Sequence, residues 1–349
     1  LPAALAEELR DYHVRLGASA ASLASLERLA RGEAVCAVAG QQPGPLGGPL
    51  YSLHKTASAV GIAARVAART GFPCVPLYWT HSEDSDFAEI RSVTVGDAGL
   101  ALHDLSLPDG IHRDGALVGG LPVQPLAALT EQALAHWQGL AGHAAVVRIC
   151  RHALGSPGGG ARDLGEAHSA LMLAMFGDRG LVVVDPRLPS FRAAARAVID
   201  RYLGQAEMLS TLARQAGALL TSRIGRAPLA DAALGSFVFG IEDGMRHKLT
   251  LAEARARPAG LPLSPSVALR PVVQDGVLPT VAMACGPGEL AYLAQLREVF
   301  EALDVRAACP VPRFGATWLP PPAIALLEAS GADPWEVVAA TDAVLKLHA

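Results

Sequence analysis

Charged side chains are scarce in this chain of 349 residues, where they make up 18% of the sequence against 51% hydrophobic residues. Lysine is the rarest of them, since only Lys55, Lys248 and Lys346 are lysine among 29 basic residues. The formal net charge is −4, and no cluster of basic residues occurs. Phosphate backbones are bound through grouped Lys and Arg, so we expect no nucleic-acid partner.

Paired cysteines and long apolar runs are also missing. The five cysteines are scattered without a C-x-x-C pair, which argues against a structural zinc site and is typical of buried thiols in a reducing compartment. No apolar run reaches the length of a membrane span, and no signal-peptide pattern opens the chain. We therefore expect a cytoplasmic protein without membrane contact, built on one principal core with smaller satellites.

A glycine-rich segment follows the first apolar run, Ala34 to Ala39, and precedes an amphipathic helix predicted from Tyr51 to Arg69. Backbone N–H groups of such a loop and of a helix's first turn point to one small volume, where an anion or polar ligand fits. Lys55, an exposed helical lysine on this interpretation, would return a positive charge to that volume. The spacing matches neither the Walker loop nor the dinucleotide fingerprint, so a simple tight turn stays an alternative.

The predicted helix ends at Thr70-Gly71, and a second buried strand follows, which gives a β-α-β unit with parallel strands. We predict a twisted, mainly parallel sheet with helices on both faces. Its expected core strands are Val35–Ala39, Val75–Thr80, Leu181–Asp185 and Thr280–Ala284. Ligands of such sheets bind beyond the carboxyl ends of the strands.

An acidic segment lies at that edge, because Glu83, Asp84, Asp86 and Glu89 directly follow the second strand. These carboxylates are suited to orient an amine, to hold magnesium through water, or to act as a general base. The alternative is an acidic first turn that favours the dipole of the next helix.

A second glycine turn, Cys285-Gly286-Pro287-Gly288-Glu289, opens a helix predicted to continue to Leu303. Glu289, Tyr292 and Gln295 share one face of that helix. A short strand, Ala307 to Val311, then leads to Arg313, which is suited to clamp a carboxylate or phosphate. The alternative is that Glu289 only complements the helix dipole and Tyr292 only packs.

Three separated blocks match one known family in the same order. They are Gly40-Gln41-Gln42-x-Gly44-x-x-x-Gly48-Pro49-Leu50-Tyr51-x-x-x-Lys55; Val75-Pro76-x-x-Trp79 with Glu83-Asp84-x-Asp86-Phe87-x-Glu89-Ile90; and Leu269-Arg270-Pro271-Val272-Val273-Gln274 through Leu278-Pro279-Thr280 to Gly286-Pro287-Gly288-Glu289-Leu290-Ala291-Tyr292-Leu293-Ala294-Gln295-Leu296. These blocks resemble the bacillithiol-biosynthesis cysteine-adding enzymes, the BshC family. The resemblance is weakest between about residues 97 and 160.

The resemblance implies an α/β fold with a Rossmann-like, nucleotidyltransferase-type parallel sheet core and inserted connecting subdomains. It also implies a ligase that adds L-cysteine to glucosaminyl malate. Forming an amide bond from a carboxylate requires activation, so ATP or another nucleotide is expected, and magnesium and a homodimer are compatible with this activity. By the same resemblance the catalytic residues are Lys55, Glu83, Asp84 and Asp86. The substrate-binding residues are Gln41, Gln42, Gly44, Gly48, Tyr51, His54, Trp79, Glu89, Arg270, Gly286, Gly288, Glu289, Tyr292, Gln295 and Arg313.

The resemblance and the local patterns together predict five parts of the chain. These are the first core half with N-terminal helices (1–95), a connecting subdomain (96–160), a core continuation (161–190), a second connecting subdomain (191–262), and the second core half with a short helical tail (263–349). The first connecting subdomain ends in a mobile loop, Ser156 to Gly160. The second contains a long helix or a helix pair from Phe191 to Arg223, and a β-hairpin from Ala232 to Leu251 that turns at Glu242-Asp243-Gly244.

Three departures from the family pattern keep other functions open. Ser85 stands where relatives carry a histidine, which removes a proton carrier, and Gly315 stands where they carry a serine. No sustained heptads occur, so we expect this sequence to lack the family's coiled coil. The alternatives are a non-catalytic or divergent homologue that binds a nucleotide or amino sugar, and a different amino-acid-transferring enzyme on the same scaffold.

Overall fold

The computed structural model describes residues 1–99, 101–154, 160–258, 260–317, 319 and 321–339. The chain forms two compact units, of which the first comprises residues 1–313 and the second begins at residue 314. The described strands are β1 (Val35–Gln41), β2 (Cys74–Thr80), β3 (Ser92–Gly96), β4 (Leu102–Ser106), β5 (Val182–Val184), β6 (Val238–Glu242), β7 (Met245–Lys248), β8 (Leu263–Pro265), β9 (Thr280–Cys285) and β10 (Cys309–Pro312).

The helices of the first unit are α1 (Ala3–Arg15), α2 (Ala20–Ala30), α3 (Leu50–Thr70), α4 (Phe87–Ile90), α5 (Val123–His136), α6 (His143–Leu154), α7 (Leu164–Phe176), α8 (Pro189–Ile224), α9 (Leu251–Ala256), α10 (Arg270–Val277), α11 (Pro287–Gln295) and α12 (Arg297–Ala302). The second unit contains α13 (Pro321–Ser330) and α14 (Pro334–Ala339). Among the described residues, no helix is both long and apolar enough to span a bilayer.

The central sheet has the strand order β10-β9-β1-β2-β5, and its strand pairs are all parallel. Every predicted core strand belongs to it, and β1 and β2 are direct neighbours, with Val35 opposite Cys74 and Gln41 opposite Thr80. The predicted parallel α/β core is therefore confirmed.

Both faces of this sheet are buried, as its continuous apolar runs predict. Cys36 and Val38 of β1 point into a cluster with residues of α8, α10 and α12. The alternate residues Ala37 and Ala39 face α3 and α7. Small alanines on that face let α3 lie close to the sheet, and α3 ends at Gly71 with φ of +70° as predicted.

The helix predicted to run from Gly286 to Leu303 is broken into α11 and α12. Leu296 lies at the junction, where its N–H bonds to both Tyr292 O and Leu293 O, a tightened turn that ends α11. The buried amide of Gln295 holds this corner, because it accepts from Leu229 N–H and donates to Ala213 O.

Two small antiparallel sheets flank the core, β3–β4 and β7-β6-β8. The predicted hairpin is confirmed as β6 and β7, and its turn residues Asp243 and Gly244 have φ of +49° and +74°, as a type I′ turn requires. The long helix predicted from Phe191 is confirmed as α8. Residues 156–159 of the predicted mobile loop lie outside the described residues, and the five-part division stays a prediction.

Candidate active site

The carboxyl ends of β1, β2, β9 and β10 meet at one edge of the central sheet. His81, directly after β2, donates its backbone N–H to Gln41 O at 2.9 Å. Arg313, directly after β10, donates its backbone N–H to Cys285 O at 2.8 Å. The structure therefore brings together the strand ends that carry most of the predicted site residues.

Lys55 lies at the centre of this edge and is buried, with 5% of its side chain exposed. Its Nζ is 2.6 Å from Glu289 Oε2 and donates to Gly40 O and Gln41 Oε1, both at 3.0 Å. The prediction of an exposed lysine is wrong, because α3 packs on β1 and directs this side chain into the sheet edge. All three ammonium protons have partners, so Lys55 fixes Gln41 and Glu289 relative to each other.

Glu289 also closes the second glycine turn. Its Oε2 accepts the N–H of Gly286 at 2.7 Å, at the start of α11. Gly288 is exposed in the first turn of that helix. The carboxylate thus complements the helix N-terminus, as the alternative interpretation held, and pairs with Lys55 as well.

Gln41 links this pair to a second group of polar side chains. Its Nε2 lies 3.4 Å from Tyr51 Oη and 3.3 Å from Glu89 Oε1, and the Tyr51 hydroxyl donates to the same Glu89 oxygen at 3.2 Å. Burial and the Glu89 carboxylate raise the pKa of Tyr51 to about 12, so its hydroxyl stays protonated. The Arg313 guanidinium lies 5.7 Å from the centroid of the Tyr51 ring.

The four predicted carboxylates of the acidic segment separate into different roles. Glu83 is nearly buried and accepts two hydrogen bonds from Arg192 of α8, at 2.9 and 2.8 Å. Asp86 caps α4 by accepting the N–H of Glu89, which confirms the helix-start alternative for that residue. Glu89 is exposed beside Tyr51, and Asp84 faces a group of cations.

Asp84 lies between two arginines from distant segments. Its oxygens are 3.7 Å from Arg246 Nη1 and 3.5 Å from Arg270 Nη2, and Oδ1 also accepts the N–H groups of Ser85 and Asp86. Burial acts to raise the pKa of Asp84, but Arg270 and Arg246 outweigh it and hold that pKa below its usual value. Asp84 is therefore ionised at neutral pH.

His81 and Arg246 are site residues that sequence reasoning missed. Arg270 Nη1 lies 3.0 Å from His81 Nδ1, which must accept because the guanidinium can only donate. Burial and the neighbouring Arg270 keep the pKa of His81 well below its usual value, so the ring is neutral with its proton on Nε2. The sequence marks His81 as a candidate, because this residue directly follows a predicted strand. Arg246 comes from the distant strand β7, and nothing in the sequence marks it.

The glycine loop, residues 40 to 49, is tightly folded. Leu46, Gly47 and Gly48 have consecutive positive φ values of 55°, 95° and 74°. A Cβ on Gly44 would lie 2.9 Å from the Cα of Gly48, so the loop folds back on itself there. Gln42 of the loop is buried, and its Oε1 has no hydrogen-bond partner among the described residues.

A groove of about 490 Å³ runs beside this loop. Its lining includes the loop, the first turn of α3, Glu89, strand β3 and Trp137. This volume lies in the range typical of small-molecule sites, roughly 300 to 1,000 Å³. Glu89 lines this groove and also contacts Gln41 and Tyr51, so the groove adjoins those polar side chains.

Four predicted substrate-binding residues lie elsewhere or only at the margin. Trp79 is 1% exposed and packs edge-on against Phe191 at 5.0 Å between ring centroids, so it belongs to the core. The Gln295 amide is fully used by backbone groups. Tyr292 packs against the main core cluster, and His54 is partly buried on α3.

The described residues contain no group of three or more His, Cys, Asp or Glu side chains placed to hold a metal ion. Glu83, Asp84 and Asp86 are separated by their partners Arg192, Arg246 and the α4 backbone. A magnesium ion held by these carboxylates does not fit this arrangement.

The fold and the strand-edge geometry define a Rossmann-like α/β protein with a candidate small-molecule site. The family model described as "Bacillithiol biosynthesis BshC, N-terminal Rossmann-like domain" matches residues 2–257 and 247–314. The chain belongs to this family.

Curated relatives agree with the family match. A protein of Koribacter versatilis is 33% identical over 93% of this chain and 62% of its own length. A protein of Geobacillus kaustophilus is 31% identical over 90% and 61%, and one of Symbiobacterium thermophilum is 31% identical over 93% and 64%. Each is named "Putative cysteine ligase BshC". The chain spans about three fifths of the length of these relatives.

Proposed function

We propose that this chain catalyses the cysteine-adding step of bacillithiol biosynthesis, an amide-bond formation that joins L-cysteine to glucosaminyl malate. The observation that carries the proposal is the buried Lys55–Glu289 pair with Gln41, at the strand edge where the family's three sequence blocks meet. The match to relatives named as cysteine ligases supports the reaction class.

Cations and carboxylates at this edge are suited to bind different parts of two polar substrates. Arg270 and Arg313 are suited to anionic groups, since a guanidinium binds carboxylates and phosphates in a fixed geometry. Glu89 is exposed and is suited to an ammonium group, whereas Asp84 holds Arg246 and Arg270 in position. Holding both substrates at one edge reduces the entropic barrier to their reaction.

His81 is suited to stabilise negative charge on an oxygen of the reacting carboxyl group. Its neutral ring carries the proton on Nε2, because Nδ1 accepts from Arg270. A preorganised N–H donor of this kind can contribute a few kcal/mol, roughly 3, to a transition state. Lys55 contributes indirectly, by holding Gln41 and Glu289 in place.

The end of the glycine loop is where we place the nucleotide. The N-terminus of α3, a helix of 21 residues that follows this loop, is electropositive and is suited to a phosphate group. When bound, ATP or another nucleotide would supply the activation that a carboxylate needs.

The experiment is a turnover assay with cysteine, glucosaminyl malate and each nucleoside triphosphate in turn, with the amide product detected by mass spectrometry. We expect product formation that falls at least about 100-fold in Asp84→Asn and Arg270→Leu, the size expected when a positioning contact is lost. Glu298→Gln, an exposed α12 position, is the control and should match the unsubstituted chain.

Substrate binding without turnover by the unsubstituted chain would contradict the proposal and favour a non-catalytic homologue. Turnover with an amino acid other than cysteine would favour a different transferring enzyme.

A further inference from the structure

A buried histidine outside the sequence-predicted site, His168 of α7, contacts the glycine loop. Its Nδ1 lies 3.3 Å from Gly44 N and 3.5 Å from Gly44 O, and its Nε2 lies 2.9 Å from Tyr78 Oη. The Tyr78 hydroxyl in turn lies 3.4 Å from Gln41 O. His168 and Tyr78 are 1% and 0% exposed, so neither can touch a ligand at the surface.

The protons can be assigned because one tautomer satisfies all of these groups except Gly44 O, which is the most distant of them at 3.5 Å. With the proton on Nε2, Gly44 N–H donates to Nδ1, Nε2–H donates to Tyr78 Oη, and the Tyr78 hydroxyl donates to Gln41 O. With the proton on Nδ1, Gly44 N–H loses its acceptor, and the Tyr78 proton is drawn away from Gln41. Buried N–H groups without a partner are costly, so the first tautomer is favoured.

The resulting chain of hydrogen bonds runs from the middle of the glycine loop back to its beginning. Gly44 is the point where the loop folds on itself, and Gln41 is the residue whose side chain meets Lys55 and Glu89. Gln41 O also accepts the N–H of His81. These hydrogen bonds therefore connect the loop backbone to the polar groups of the site.

The loop needs such support, because its conformation is unfavourable by itself. Leu46 has φ of 55°, a left-handed backbone conformation that residues other than glycine and asparagine rarely adopt. Behind the loop, a cavity of about 30 Å³ lies between Leu46, Gly47, His168 and Leu171. Leu46 still packs against two apolar clusters, so hydrogen bonds and apolar contacts hold the loop together.

We propose that His168 and Tyr78 are positioning residues that hold the glycine loop in its ligand-binding shape through Gly44 and Gln41. This inference rests on the proposed function for its activity readout only. The loop shape itself can be measured without any substrate.

The experiment compares hydrogen–deuterium exchange of the loop peptide, followed by mass spectrometry, in His168→Phe, His168→Gln and Tyr78→Phe. Phenylalanine keeps a ring but removes both hydrogen bonds, whereas glutamine offers one acceptor and one donor. We expect loop exchange about tenfold faster in His168→Phe and Tyr78→Phe, the equivalent of one lost hydrogen bond. His168→Gln should restore much of the protection.

His13→Phe is the matched control. His13 is also a fully buried histidine, bonded to Leu9 O and Val183 N, but it contacts β5 and not the loop. This variant should lose protection around Val183 and leave loop exchange unchanged. General destabilisation is thereby separated from loop positioning.

In the turnover assay, we expect the KM for the nucleotide to rise about tenfold in His168→Phe and Tyr78→Phe, with kcat changed less and with rescue by His168→Gln. Loop exchange equal to that of the unsubstituted chain, in a folded Tyr78→Phe, would overturn the inference. Because Tyr78→Phe removes a single oxygen atom, it tests the role of these hydrogen bonds even if His168→Phe does not fold. An inactive unsubstituted chain with the expected exchange pattern would refute the proposed function alone.

Discussion

Lys55 is a buried cation whose partners are a carboxylate, an amide oxygen and a backbone carbonyl. Replacing it by methionine would leave Glu289 nearly buried without its counter-charge. We expect Lys55→Met to lower the free energy of unfolding by roughly 3 kcal/mol, as for other broken buried ion pairs. Urea denaturation measures this loss, and Lys55→Met with Glu289→Gln should recover part of it. A single variant as stable as the unsubstituted chain would restore the original expectation of an exposed lysine.

Gly40 is a second position where a single added carbon atom is expected to change the stability of the protein. A Cβ there would lie 2.7 Å from His81 Nε2 and 2.9 Å from Trp79 O, so the chain must shift. We expect Gly40→Ala to destabilise by about 1–3 kcal/mol and to lower turnover by moving His81. Gly61→Ala is the control with the opposite sign: it lies in α3 with no atom near the added methyl group, and should stabilise by about 0.5–1 kcal/mol. Equal effects at both glycines would contradict the crowding argument.

At the scale of elements, the first turn of α8 holds the segment after β2 through Arg192 and Glu83. We expect Arg192→Leu to destabilise by roughly 3 kcal/mol, because it leaves Glu83 buried and unpaired. Arg196→Leu, one turn further along, breaks a more exposed pair with Asp200 and should cost no more than about 0.5–1 kcal/mol.

Glu83→Gln then separates structure from chemistry at the same contact. An amide oxygen still accepts from Arg192, so we expect turnover within about tenfold of the unsubstituted value if the carboxylate is structural. Complete loss of turnover with unchanged stability would instead show that Glu83 has the catalytic role implied by the family resemblance. Thermal unfolding and the turnover assay on the same preparation distinguish the two.

At the scale of the whole molecule, buried histidines make stability depend on pH. Burial lowers the pKa of His13 and of His168 to about 4 in the folded chain, against about 6.5 in an unfolded one. Between these values the unfolded chain binds more protons, so stability is fully present above about pH 6.5 and falls as the pH drops towards 4. Each histidine contributes about 1.4 kcal/mol per pH unit well inside this window.

Urea denaturation at several pH values between 7 and 4.5 measures this dependence. Glu166 causes a further loss of stability at lower pH. Burial acts to raise its pKa, but the hydrogen bonds from Arg15 and Arg162 outweigh burial and lower that pKa to about 2. Its contribution is present above about pH 4.5 and is lost as the pH falls towards 2. His13→Gln should make the slope above pH 4.5 shallower. A stability that does not change from pH 7 to 5 would contradict the burial of these neutral rings.

Local patterns predicted the elements that need only local causes. Continuous apolar runs place β1, β2, β5 and β9 inside a parallel sheet, and glycines mark the turn at its edge and the end of α3. Because parallel strands present their carboxyl ends on one side, the sequence alone also placed Gln41, Asp84, Glu289 and Arg313 near each other. The family blocks, in their order along the chain, identified the family and led to the proposed reaction class.

Only the tertiary structure decided which of these groups face a ligand and which are held by neighbours. Arg192, Arg246 and His168 are about 110 to 160 residues from Glu83, Asp84 and Gly44, and no local pattern records a contact across that distance. Trp79 and Gln295 are polar or aromatic residues inside matching blocks, yet packing uses them in the core. Side-chain type and spacing determine what a residue can bind; the long-range packing of α3, α7 and α8 on the sheet determines what it does bind.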